Sequence, residues 1–132
     1  MSILRRTLYA MAAVWAACAV TLVAVPRWAL VDLFGQPVYP DYAYVRVAGV
    51  CSFCLAMLMV ITAQRLEEMW VFTWAFVFAA AGTFVVALAN AVWGHPADGG
   101  TTLWWLFAGF SLAFGAGLIV GLARAGEERP PI

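Results

Sequence analysis

Lysine is absent from the chain, histidine occurs once, and charged residues make up only 11% of the 132 positions. Each shortage excludes a class of function. Without lysine no Schiff base can form, so a retinal-type pigment is ruled out. The single histidine, His95, falls in a Gly-, Pro- and Asp-rich stretch that reads as a loop, so this chain alone cannot supply the paired axial ligands of a b-type haem. Three cysteines and one loop histidine have no ligand spacing, which leaves no metal centre and no cofactor implied. The formal net charge is zero and no basic tail is present, so nucleic acid is not an expected partner. Every aspartate and glutamate lies outside the long apolar runs, so the intramembrane carboxylate on which small proton-coupled exporters depend is missing.

What remains is overwhelmingly apolar: 66% of residues are hydrophobic and mean hydropathy is +0.93. A water-soluble domain this short exposes too much of its surface to hide such a composition, so lipid is the solvent that fits. A span needs about 20 mainly apolar residues to cross ~30 Å of hydrocarbon. Four segments qualify, at about 7–25, 44–63, 69–92 and 102–123. None holds an internal proline or a central charge. Amides in hydrocarbon find no water, so each segment must bond within itself as a helix, and the alternation of a membrane β-barrel is absent. The expectation is an all-α integral membrane four-helix bundle in one domain, with residues 126–132 as a flexible cytoplasmic tail.

Arginine placement sets the expected orientation, because basic residues flanking spans are retained in the cytoplasm. With both ends inside, Arg5, Arg6, Arg65, Arg124 and Arg129 are cytoplasmic and only Arg27 and Arg46 are outside. Trp28, Tyr39, Tyr42, Tyr44, Trp93, Trp104 and Trp105 would then form an outer aromatic belt, with Tyr9 and Trp70 at the inner interface. Arg5 and Arg6 before an apolar run also suit a secretory leader, and the order around Cys18 resembles a lipobox. The run is long for a leader, and Trp15 occupies a position where a leucine-like residue is usual, so an uncleaved span is expected. Between the first two spans, Pro26 to Gly35 reads as a short interfacial helix: proline suits a first turn and glycine a stop. Gln64–Glu68 reads as a tight polar turn and Gly94–Gly100 as a loose loop.

Candidate sites are few. Arg46 sits about one turn inside the second span, where a charge must snorkel or find a partner. Asp32, Asp41 and Asp98 are candidate partners on that side, and Asn90 and His95 could add polar groups. These six residues make an outer-face binding site the first place to look, against the plainer alternative of a snorkelling arginine and loop-capping groups. In the fourth span Ala113, Gly117 and Gly121 recur at four-residue spacing, beside Ser111 and Gly115. Small residues let helix backbones approach closely in lipid, so this stripe marks either packing within the chain or the seam of a homo-oligomer.

Cys51 and Cys54 form a C-x-x-C in the second span, as in four-helix thiol oxidoreductases that pass electrons to quinone. Reactive thiols need a nearby cation or helix N-terminus to lower their pKa, an i, i+3 pair within a helix is poor disulfide geometry, and only Cys18 is left for a second pair. Buried small hydrophobes are the simpler expectation.

Leu33-Phe34-Gly35, then Arg46-Val47-Ala48-Gly49 opening the second span and a polar hairpin before the third, resembles the small four-span inner-membrane proteins common in high-GC bacteria. The resemblance covers most of the chain and implies a fold and a location, the bacterial cytoplasmic membrane; exclusive use of arginine and abundant alanine agree with that source. The functional expectation is a non-enzymatic structural or accessory subunit, with the bilayer and either a membrane-protein partner or further copies as neighbours. The alternatives are an oligomeric small channel or carrier and a quinone-linked thiol enzyme.

Overall fold

Proline decides where the first span stops. Helix α1 runs Ser2–Ala24 and ends at Val25, whose φ of −136° lies outside the helical range, because a residue before proline is crowded out of it. The chain turns helical again at Pro26 and continues as a π-helix over Trp28–Leu33. Gly35 ends it at φ +62°, a conformation that suits glycine. The Gly35 and Gln36 amides donate back to Val31 O and Leu30 O. The computed structural model describes residues 1–94 and 99–128.

Three more long helices follow: α2, Ala43–Gln64; α3, Leu66–Val92, whose first turns tighten into a 3-10 segment at Trp70–Phe72; and α4, Thr102–Glu128. All four are long and apolar enough to cross a membrane. At 1.5 Å per residue the shortest of them, at 22 residues, is about 33 Å long. This is an all-helical integral membrane protein. Two boundaries depart from expectation. The turn between α2 and α3 narrows to Arg65, because Leu66 is fully buried rather than part of a polar loop. At the other end α4 continues through Gly126 to Glu128, in residues expected to belong to the tail. Buried Leu122 and Ala125 anchor that last stretch, and no proline intervenes before Pro130.

An even number of helices puts the start of α1, the Arg65 turn and the end of α4 at one end, the termini end, and leaves Pro26–Tyr42, the end of α3 and the start of α4 at the other, the loop end. The helices do not close into a ring. α1 packs extensively on α2 and also on α4, and α4 packs on α3, while α2 and α3 share no comparable interface beyond their turn. The order across the sheet of helices is therefore α2, α1, α4, α3.

The dense core lies toward the termini end. Leu4, Leu8, Met11, Met59, Leu66 and Leu118 are fully buried and belong to one cluster with Phe76 and Ala80. Lipid tails are as apolar as these side chains, so what holds them is close dispersion contact rather than exclusion of water. Arg5 ties the same end together. Its Nε donates to Ala63 O at 3.1 Å, satisfying one of the carbonyls that the end of α2 leaves free, and its guanidinium lies 3.9 Å from exposed Glu67.

One polar atom in this region has no counterpart. The Thr73 hydroxyl is wholly buried and makes no hydrogen bond among the described residues. An unmade bond is expensive and an isosteric methyl removes the demand. Thr73→Val is therefore expected to leave stability unchanged or to raise it by up to about 1 kcal/mol, read as an unfolding midpoint in detergent. A loss of that size would mean that the hydroxyl has a partner.

Candidate functional site

Close helix approach is concentrated at three glycines. A Cβ added at Gly121 would lie 2.9 Å from Leu4 Cα, and one at Gly117 would lie 2.9 Å from Thr7 Cγ2. These two residues let α1 and α4 meet near the termini end. At Gly49 an added Cβ would lie 2.8 Å from Val23 Cγ2 and 3.1 Å from Ala19 O, so α2 is drawn onto α1 toward the loop end. Nothing comparable joins α1 to α4 there. The rings of Trp104, Phe107 and Phe110 stand off from Cys18 and Leu22, and space is left on both sides of them.

Two cavities result, of about 450 and 470 Å³, and they share those five residues. The first lies in the gap that the missing α2–α3 interface leaves. Ser52 of α2 bounds one side, Gly82, Thr83 and Val86 of α3 bound the other, and Trp15 and Phe114 close it toward the core. It is partly open, and Gly82 and Val86 on its rim are exposed. The second lies between α1, the start of α2 at Val45 and Ala48, α4 and the π-helical connection, against Leu30, Leu33, Gln36 and Tyr39. Phe110 and Phe114 stack with ring centroids 6.1 Å apart, and Trp104 and Phe107 tilt together at 6.4 Å. One face of α4 is thereby an aromatic wall.

Among the described residues the lining carries no arginine, aspartate, glutamate or histidine, so none of them offers a charged guest a counter-ion. Its polar groups fall into two kinds. Thr21 and Ser52 spend their hydroxyls on Ala17 O and Ala48 O, each at 2.8 Å, the usual helix back-bond. Gln36 is buried and donates its Nε2 to Gly100 O at 2.6 Å, while Gly100 N donates to Gly35 O. This pair latches the first connection to the start of α4. By contrast, Thr83 and Ser111 make no hydrogen bond among the described residues, although Ser111 is only 8% exposed.

The polar residues singled out by sequence do not form this site. Asp32, Asp41 and Arg46 are all exposed, and no carboxylate among the described residues lies within ion-pairing distance of Arg46. Asp41 Oδ1 instead accepts the Ala43 N–H at 2.9 Å, meeting one of the free donors at the start of α2. Asn90 donates back along its own helix to Val86 O. His95 and Asp98 lie outside the described residues. Of the small residues in α4, Gly117 and Gly121 face α1, Gly115 faces Ala80 of α3, where an added Cβ would lie in ordinary contact at 3.6 Å, Ser111 faces the first cavity, and Ala113 is exposed.

The cysteines also differ from expectation. Cys51 and Cys54 are exposed on α2 rather than buried, and only Cys18 lines a cavity. In lipid the outward face of a helix can be as apolar as the inward one, so a small hydrophobe has no preference between them.

The aromatic wall, Gln36 and Thr83 went unnoticed in the sequence. Trp104, Phe107, Ser111 and Phe114 recur at the three- and four-residue steps of one helix face. That signal is present, but in a span apolar on every side it does not say which face looks inward. Compared with known proteins, the chain matches no protein-family model, no curated protein and no solved structure.

Proposed function

We propose that this protein is a non-enzymatic membrane protein that holds an uncharged, lipid-like molecule in the loop-end half of its bundle. The observation that carries the reading is the pair of adjoining apolar cavities, the first opening where α2 and α3 fail to pack and the second beneath the π-helical connection. Their volumes fall in the range of ligand sites, about 300–1,000 Å³. A helix about 10 Å across and 30 Å long could not enter either one, so a partner's span is not the guest. With the arginine-rich termini end in the cytoplasm, the cavities lie in the outer leaflet of a bacterial cytoplasmic membrane, and the π-helical connection rests at the outer interface.

The accessory-subunit reading keeps one supporting observation. Gly109 and Ala113 are exposed four residues apart on α4, and an added Cβ at Gly109 would meet nothing within 4 Å. That surface suits a second helix, either a partner's or another copy's. A thiol enzyme is less favoured, since Cys51 and Cys54 point away from both cavities. A channel would need a polar path, and no charged side chain among the described residues lines these spaces.

Native mass spectrometry of the protein extracted gently from its own membranes tests the proposal. The expected result is one uncharged adduct of a few hundred daltons per chain, lost in Gly82→Trp, which fills the first cavity from its rim. A bare chain that also fails to retain added 1-hexadecanol would sink the binding reading. Other subunits in fixed ratio would bring the accessory role forward.

A further inference from the structure

Resting on that reading, we infer that the first cavity takes a membrane quinone: a flat, uncharged ring with carbonyl acceptors and an apolar tail. Two hydroxyls in its lining, those of Thr83 and Ser111, stand idle. Thr7, Thr21 and Ser52 each bond the carbonyl four residues back; Thr62, Thr73, Thr83 and Ser111 do not bond any described group, and of these four only Thr83 and Ser111 line a cavity. Ser111 is more than nine-tenths buried. The Ser111 hydroxyl opens on the cavity rather than into packed side chains, and a donor left there without an acceptor favours a guest that brings one.

Depth and arrangement narrow the guest further. Ser111 lies nine residues into α4 from Thr102, and Thr83 nine residues before the end of α3 at Val92. At 1.5 Å per residue both hydroxyls sit about 14 Å from the loop end, near the middle of the bilayer. A phospholipid headgroup does not reach that depth, and the absence of any charged lining residue agrees. A saturated acyl chain reaches it but carries no acceptor. The two hydroxyls stand on different helices and do not bond each other, so they can serve separate acceptors on one ring. Around them Trp15, Trp104, Phe107 and Phe114 supply faces and edges that favour stacking with a conjugated ring. The tail runs along Cys18 and Leu22 toward the second cavity, which these two residues also line. No electron transfer is part of the inference.

Competition between two probes of matched tail tests it. Purified protein in detergent is equilibrated with decylubiquinone and with decylbenzene, which lacks the carbonyls, and retained ligand is counted by native mass spectrometry. Decylubiquinone is expected to be favoured by ten-fold or more. Ser111→Ala and Thr83→Val should each shrink that preference three-fold or more while decylbenzene is still retained, which shows that the variants keep their cavity. Equal retention of the two probes by the native protein, or an undiminished preference in both variants, would overturn the quinone assignment and leave lipid-like binding standing. Retention of neither probe would take down both.

Discussion

Gly121→Leu is expected to destabilise the bundle by about 3 kcal/mol or more, the upper range for forcing bulk into a packed interface. The clash is with backbone: an added Cβ alone lies 2.9 Å from Leu4 Cα and 3.0 Å from Leu4 Cβ, so α1 and α4 must separate before a larger side chain fits. Leu4 is fully buried in the core cluster, so the separation also loosens Leu118 and Leu122. Gly109→Leu on the open face of the same helix meets no such contact and should lie within about 0.5 kcal/mol of the native protein. Unfolding in detergent micelles read by circular dichroism compares the two. The pair also decides how the glycine stripe is used. If Gly121→Leu left the unfolding midpoint alone and instead split an oligomer, the stripe would be a seam between copies.

That contrast shows which kinds of information the sequence carries. Span count and span positions were legible because a bilayer leaves the backbone no choice but to bond internally over a fixed thickness. Breaks were legible where a residue forces them, as Pro26 does for α1 and Gly35 for the connection. Which face of each helix looks inward was not. In water, apolar residues mark the inner face, but here Phe53, Phe78, Val85 and Phe110 are exposed while equally apolar neighbours are buried. Glycine spacing restored part of the answer: the stripe on α4 was visible, though not that Gly121 meets Leu4 while Ala113 faces outward.

The candidate site was harder still, because attention went to charge. Arg46, Asp32 and Asp41 were conspicuous for being rare, yet each can reach water at a helix end and so needs no partner inside. Groups inside the bundle carry more information in a membrane: Gln36, held by Gly100 O, and Ser111, held by no described residue. Neither stands out in a sequence, since serine in a span usually bonds its own helix. The site is a failure of packing between α2 and α3, a property of how four helices share contacts rather than of any one segment.

The same failure predicts an asymmetry in response to truncation. Leu8→Ala is expected to cost about 2 kcal/mol, the low end of the range for emptying a buried leucine site. In lipid the transfer term largely cancels, because tails are as apolar as the core, and what remains is the loss of dispersion contacts around the new void. Leu8 is fully buried among residues of the core cluster, so those contacts are complete and none can be replaced. Leu22 is equally apolar and lies on the same helix, but it borders both cavities. Its side chain already lacks neighbours on those sides, and Leu22→Ala keeps the Cβ that packs near Gly49. Less than about 1 kcal/mol should be lost there. Unfolding midpoints of the two variants in the same detergent test the difference. Equal losses would mean that the loop-end half is packed as tightly as the core, which would remove the space on which the binding proposal stands. A Leu22→Ala loss that grows when the bound molecule is present would instead place this side chain against the guest, because a contact with the ligand is then being removed along with the residue.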